Sequence, residues 1–253
     1  MKFISILFTI ILSLSFPSHS TSYNSLEDRQ IRVISNLFDK LVQKHNNSAL
    51  SIERSVNALL KSYPEQIDTV LKIAIAKYPQ EYRQIICGAL RAEPALTSDV
   101  ISILLQSNIS TSADIVSIAV SEEPAYASEI VKAAVSHSPD EFENIIRVAI
   151  LTEPVMANNV VKNTMQSYPK KIIDILVIAL KNLPDQVSNI VRDTLRLSTN
   201  NSEVISLAVS SSKSDKTREI IATAVHSGMS QKSATAAAIA GGAKNTDIVK
   251  AAP

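Results

Sequence analysis

The sequence predicts an all-α fold, an α-solenoid whose fifteen-residue helices pair into thirty-residue αα-hairpins. Proline recurs at a spacing of fifteen residues, and a pair of aliphatic residues recurs at the same spacing. A third observation, an alternation between neighbouring units, doubles the period. With the less regular units at both ends included, we expect about fifteen helices.

The prolines set the length of the unit. Proline suits the first position of a helix, where no N–H is needed, and it pushes the preceding residue out of the α region. We therefore expect each proline to begin a helix of about three turns, from position 1 of the unit to position 12 or 13, followed by a polar joint such as 76–78. The prolines are Pro64, Pro79, Pro94, Pro124, Pro139, Pro154, Pro169 and Pro184, with Ile109 in place of the one that is missing.

An apolar stripe with the period of a helix runs through every unit. Positions 4, 7, 8, 11 and 12, counted from each proline, follow the i, i+3, i+4, i+7, i+8 spacing of one helix face. We predict that this stripe forms the core. Positions 7 and 8 are Val70-Leu71, Ile85-Ile86, Val100-Ile101, Ile115-Val116, Ile130-Val131, Ile145-Ile146, Val160-Val161, Ile175-Leu176 and Ile190-Val191.

Neighbouring units differ in a regular way. Glu93, Glu123 and Glu153 precede prolines at thirty-residue spacing, whereas units between them carry a bulky residue at position 4, such as Tyr82 or Phe142. Alternate helices are expected to differ when they lie in two layers of stacked hairpins. In general architecture the array resembles the helical-hairpin repeats of the tetratricopeptide and HEAT kinds. Those repeats have about 34 and about 40 residues, so the resemblance implies no site residue.

The regular repeats, 63–198, lie between two less regular ends. Residues 21–62 are predicted to hold a linker, a capping helix that begins at the N-cap Ser25, and a degenerate first repeat. Residues 199–253 hold degenerate repeats in which the pair Val204-Ile205 is displaced by one residue, and this Ala-rich end stops in mid-unit. The capping helix is predicted to turn Ile31, Ile34, Leu37, Phe38, Leu41 and Val42 inward.

The first twenty residues predict export. Lys2 precedes an apolar run, 3–16, and Ser18 and Ser20 are small residues at the −3 and −1 positions of a cleavage site. We expect 1–20 to be a cleavable signal peptide, with cleavage after Ser20 or Ser22. The mature protein is then predicted to be periplasmic or secreted.

Catalytic, cofactor and metal-binding motifs are not found in the sequence. His45, His137 and His226 are far apart, and the single cysteine, Cys87, has no base near it in sequence. Removing Lys2 with the signal peptide leaves 24 basic and 24 acidic residues, a net charge of zero, which disfavours nucleic acid as a partner. We expect no enzyme activity, no cofactor and no metal.

One set of cations suggests a binding surface. Position 9 of alternate units carries Lys72, Lys132, Lys162 and Arg192, interrupted by Ser102, and we call these four cations the cationic ladder. The simpler interpretation is i, i+3 pairing on a solvated face, for example between Glu129 and Lys132. The sharper interpretation is a binding site for an acidic peptide or an anionic glycan.

The favoured function is an exported, non-enzymatic helical-repeat scaffold that binds a protein or peptide, because such arrays offer extended surfaces. One alternative is an amphipathic repeat that lies on lipid, similar in outline to apolipoprotein-type repeats. The broad aliphatic stripe lacks flanking basic residues, so a membrane surface is the less favoured partner. Another alternative is a structural protein that self-associates through its C-terminal end.

Overall fold

The structure is a computed structural model that describes residues 21–44 and 49–249. In this part of the chain there are fifteen α-helices and no strand, so the predicted all-α helical-repeat array is confirmed. The predicted signal peptide, His45 and the C-terminal residues 250–253 lie outside the described residues. The helices are α1 Thr21–Lys44, α2 Ala49–Ser62, α3 Ile67–Lys77, α4 Tyr82–Leu90, α5 Thr97–Gln106, α6 Ser112–Glu122, α7 Ala127–His137, α8 Phe142–Thr152, α9 Ala157–Ser167, α10 Ile172–Asn182, α11 Val187–Leu197, α12 Asn201–Ser211, α13 Thr217–His226, α14 Gln231–Ala240 and α15 Asn245–Val249.

A single residue ends one helix and opens the next turn. The N–H of Tyr78 donates to the carbonyl oxygen of Ala74 at 2.8 Å, and the carbonyl oxygen of Tyr78 accepts from the N–H of Glu81 at 3.0 Å. The first bond closes α3, and the second closes a 3₁₀ turn, Pro79–Glu81, that leads into α4. The same two bonds are made by Tyr63, Glu123, Ser138, Glu153, Tyr168 and Leu183.

The predicted helix bounds are therefore wrong by a few residues. In most proline-led units the α-helix runs from position 4 to position 14, and the joint 76–78 shrinks to Tyr78. The reason lies in the tight turn at proline, where position 3 leaves the helical region, as Gln66 does with φ −97° and ψ 17°. An α-helix can begin only after that residue.

The unit without proline keeps the register by another route. Asn108 takes a left-handed conformation with φ 51°, which asparagine tolerates better than most residues. The Thr111 side chain then accepts a hydrogen bond from the N–H of Asp114 at 3.2 Å and caps α6. As a result α5 begins at Thr97 and α6 at Ser112, fifteen residues apart.

The helices pack in two layers. We call α2, α4, α6, α8, α10, α12 and α14 the even layer, and α3, α5, α7, α9, α11 and α13 the odd layer. Each helix contacts its neighbours along the chain and the helix two places away in its own layer. A Cβ atom at Gly88 would overlap the backbone carbonyl of Glu53, so α4 and α2 approach closely there. The structural unit is the thirty-residue hairpin.

The predicted stripe forms the core. Positions 7 and 8 are at most 2% exposed in all nine regular units. The alanines at position 11, such as Ala74 and Ala119, are fully buried, and they leave room for close helix packing. One continuous cluster of apolar side chains extends from Ile34 in α1 to Ala238 in α14.

The N-terminal helix departs from its predicted bounds and burial. Helix α1 begins at Thr21, before the predicted N-cap Ser25. Its Phe38 is fully buried, but Ile31 is exposed, contrary to expectation. Since α1 has 24 residues and α2 has 14, the first part of α1 extends past the helix that would cover it. Even with α1 included, no described helix is both long and apolar enough to cross a membrane.

The predicted one-residue displacement near the C-terminus is present. Helix α12 begins at Asn201, fourteen residues after the start of α11, and α13 begins at Thr217, sixteen residues after the start of α12, so the displacement is confined to α12 and the register is then restored. The extra residue lies in the joint after α12, where both Ser212 and Lys213 are extended, with ψ of 165° and 149°. This joint is therefore one residue longer than the joints that precede a proline.

Adjacent residues of α8 test the burial pattern. Ile150 is fully buried and Leu151 is 47% exposed. We expect Ile150→Ala to lower the free energy of unfolding by about 2–4 kcal/mol, because it leaves a cavity in the core. The matched control Leu151→Ala should cost less than about 1 kcal/mol. Urea denaturation followed by circular dichroism measures both, and equal losses would contradict the assigned stripe.

Candidate functional site

The cationic ladder lies on the odd layer, one cation on each of α3, α7, α9 and α11, and all four side chains are exposed. Two of them have local partners. Lys72 forms an ion pair with Asp68 at 2.8 Å, one turn away on the same helix. Arg192 donates from Nη1 to Oδ1 of Asn189 at 3.2 Å. The ladder is therefore not a uniform row of free charges.

Lys132 and Lys162 form no ion pair with any described residue. The predicted pairing of Glu129 with Lys132 is wrong, although the two side chains share one face of α7. Both are exposed to water, where such a pair contributes only about 0.3–0.5 kcal/mol, so solvation competes with it. These two ammonium groups remain available to a ligand.

Two shallow grooves meet at Lys132, one on each side of α7. We call them the α7 grooves. The first lies between α7 and α9 and is lined by Ser128, Glu129, Lys132, Asn163, Thr164, Gln166, Ser167 and Tyr168. The second lies between α5 and α7 and is lined by Ser98, Ser102, Gln106, Glu129, Lys132, Ala133, Ser136 and His137. Their walls present hydroxyls and amides with one ammonium group and one carboxylate.

Contacts between helices hold the first groove in shape. Asn163 Nδ2 on α9 donates to Ser128 Oγ on α7 at 2.9 Å. Tyr168 packs edge-on against the Phe142 ring, with 5.6 Å between ring centroids, and its hydroxyl lies 3.5 Å from the backbone oxygen of Lys132. The groove wall is therefore positioned by packing before any ligand binds.

The charge of the odd layer changes along the array. On α5 and α7 the exposed acids Asp99 and Glu129 occupy position 6, whereas α9 and α11 carry the neutral amides Asn159 and Asn189 there. The half that contains Lys162 and Arg192 thus has an excess of positive charge. An acidic group would be favoured on that half.

The histidines and the cysteine do not form a catalytic arrangement in the described part of the chain. His137 and His226 are exposed last residues of α7 and α13. Across the described ranges, no group of three or more histidine, cysteine, aspartate or glutamate side chains could hold a metal ion. Burial, together with the smaller effect of the negative charges of Glu122 and Glu53, raises the pKa of the Cys87 thiol to about 11. Cys87 is therefore a protonated thiol at neutral pH, which is a poor nucleophile.

A set of charged side chains that the sequence analysis missed joins three helices of the even layer. Arg91 at the end of α4 forms ion pairs with Glu53 on α2 and with Glu122 on α6, and its Nη2 lies 3.0 Å from Glu122 Oε2. The sequence separations are 31 residues to Glu122 and 38 residues to Glu53, so only the first is close to the repeat period. Because Arg91 is itself half exposed, these bonds help to set the spacing of the helices and contribute modestly to stability.

Comparison with known proteins gives no relative for this chain. No protein-family model, no curated protein and no solved structure matches it. The functional interpretation therefore depends on the chain's own residues and their geometry.

The thiol of Cys87 gives a test of the electrostatics of the even layer. We expect iodoacetamide to modify Cys87 slowly at pH 8, and the rate should rise towards its midpoint near pH 11. Glu122→Gln removes a negative charge beside the thiol and should lower its pKa by about half a unit, which raises the rate at pH 9 roughly threefold. The control Glu143→Gln, on the exposed face of α8, should leave the rate unchanged. Wild-type titration near pH 9 would contradict this account.

Proposed function

We propose that this chain is an exported, non-enzymatic scaffold that binds a protein or peptide across the odd layer, centred on the two α7 grooves. The observation that carries the proposal is that Lys132, which has no ion pair with any described residue, lies where the two polar grooves meet. Export remains a prediction from residues 1–20.

The chemistry of the groove walls fits an extended peptide. Serine hydroxyls and the amides of Gln106 and Gln166 can both donate to and accept from peptide N–H and C=O groups. Lys132 supplies a point charge for a carboxylate of the ligand. The thirty-residue repeat continues the same kind of surface onto α9, where Lys162 is also exposed. We therefore expect the bound segment to carry acidic residues.

Two other functions, a lipid-surface protein and an enzyme, are supported less well by this geometry. The apolar stripe that would lie on lipid is buried between helices, so the proposal does not include a membrane surface. An enzyme would need a nucleophile, or an acid and a base, that converge in an enclosed cleft. In the α7 grooves the carboxylate of Glu129 and the imidazole of His137 are both exposed to solvent, which does not favour catalysis.

Selection of displayed random peptides against the mature protein tests the proposal. We expect enriched peptides to be rich in Asp and Glu, and their affinity should fall about tenfold when both Lys132 and Lys162 are changed to Ser, since two charge-assisted contacts are lost. The matched control is Lys232→Ser, an exposed lysine on α14, which should bind as wild type. Enriched peptides whose affinity does not depend on Lys132 and Lys162 would contradict the proposed surface.

A second candidate, self-association, is favoured by one observation at the end of the even layer. Ile239 on α14 is 50% exposed, whereas the corresponding residues Val209 on α12 and Leu180 on α10 are 7% and 2% exposed. In those helices the side chain is covered by the next helix of the layer, and no described helix covers α14 in this way. Ile31 and Val33 of α1 are exposed at the opposite end, so both ends of the array present apolar side chains.

Sedimentation equilibrium of the mature chain tests this second candidate. We expect weak, concentration-dependent self-association, which Ile239→Ser should weaken about tenfold because it removes an apolar contact from the end of the array. The control Val155→Ser changes a residue that is 85% exposed but lies in the turn before α9, away from both ends of the array, and it should have no effect. A strict monomer at high concentration would contradict the candidate.

A further inference from the structure

A groove that differs from the α7 grooves lies beside the longer joint after α12. It lies between the end of α10, the start of the α11 unit and the joint between α12 and α13, and we call it the α12 groove. Its lining residues are Leu180, Lys181, Pro184, Val187, Ser210, Ser211, Ser212, Lys213 and Lys216. One hairpin earlier, the corresponding joint holds a single residue, the buried Leu183. The joint after α12 differs from it in having two residues, both polar, one of which is a lysine.

The lining of the α12 groove is basic. Its lining includes three lysines: Lys181 at the end of α10, Lys213 in the joint and Lys216 in the 3₁₀ turn that follows the joint. Among the described residues that line the groove there is no carboxylate. Lys216 is engaged by Glu219, with 3.3 Å between Nζ and Oε2. Lys181 and Lys213 form no ion pair with any described residue. Two positive charges are therefore uncompensated at one place on the surface.

Three consecutive serines supply hydroxyl groups beside these lysines. Ser210 lines the groove, but its Oγ already donates to the backbone oxygen of Leu207 at 3.1 Å. Ser212 Oγ is buried and has no hydrogen-bond partner among the described residues. A buried hydroxyl without a partner is unfavourable, and because Ser212 lines the groove, rotation about its Cα–Cβ bond would let the hydroxyl donate to an oxygen of a bound anion.

Acids on the neighbouring α8–α10 groove do not neutralise this charge. Lys181 also borders that groove, which contains Asp140, Glu143 and Asp174. Asp174 is paired with Lys171 at 3.0 Å, and neither Asp140 nor Glu143 forms an ion pair with any described residue. No ion pair holds Lys181 to these acids, so its side chain is accessible from both grooves.

We propose that the α12 groove binds a phosphate monoester from a soluble small molecule. A phosphate monoester carries a charge near −2 at neutral pH, which matches Lys181 and Lys213, and its oxygens accept hydrogen bonds from ammonium and hydroxyl groups. A carboxylate carries one negative charge and would leave one lysine uncompensated. Leu180 and Pro184 border the site and can contact the organic part of the ester. This site is separate from the α7 grooves and does not depend on the proposed peptide binding.

The experiment measures binding of glycerol phosphate to the mature chain by isothermal titration calorimetry at low ionic strength. We expect saturable 1:1 binding in the millimolar range, at least tenfold tighter than acetate. The double variant Lys181→Ser, Lys213→Ser should weaken binding at least tenfold. The matched control Lys132→Ser, Lys162→Ser removes the same charge from the α7 grooves and should bind glycerol phosphate as wild type does.

Several outcomes would overturn the proposal. These are an absence of saturable binding, equal losses in both double variants, or lysine-dependent binding to phosphatidic-acid vesicles without binding to glycerol phosphate. Far-ultraviolet circular dichroism and thermal unfolding confirm that each variant is folded, which is expected because both lysines are exposed. A third variant, Lys213→Arg, keeps the charge and should retain binding.

Discussion

The one-residue joint is the constraint on which the rest of this structure depends. At Tyr78 the backbone N–H completes one helix while the carbonyl completes the first turn of the next, so no free chain separates the two. Proline imposes this joint because it lacks a donor and holds the residue before it away from the α region. Successive helices must therefore reverse direction side by side, and each hairpin stacks on the previous one.

Because the joints leave no slack, each position of the unit has a nearly constant environment. Positions 7 and 8 are buried in every regular unit, and position 9 of the odd layer is exposed or half-buried. Polar contacts between helices of one layer occur at recurring places, as between Asn163 and Ser128 on the odd layer and between Thr223 and Ser188 two hairpins further along. The outer surface is thus a series of shallow polar grooves, which supports the proposed binding of an extended partner.

Irregular joints are where the surface changes most. The unit that begins at Ile109 lacks proline but keeps the register, because the left-handed Asn108 and the Thr111 cap replace the proline turn. The unit that contains α12 does not keep it, and the extra residue is taken up at Ser212 and Lys213. Units in register present similar residue types at equivalent surface positions, so a unit out of register presents a different combination.

The sequence by itself determined the all-α class, the unit length, the buried stripe and the displacement at α12, because each is a local pattern with a fixed period. It did not predict that the α-helix begins at position 4, since that depends on how tightly the proline turn closes. Only the tertiary structure decided which charges meet. Glu129 and Lys132 were predicted to pair and do not, whereas Arg91 reaches Glu53 and Glu122 on other helices. Lys181 on α10 and Lys213 in the joint after α12 line the same groove. Such contacts depend on the rotation and spacing of packed helices, which the sequence period does not specify.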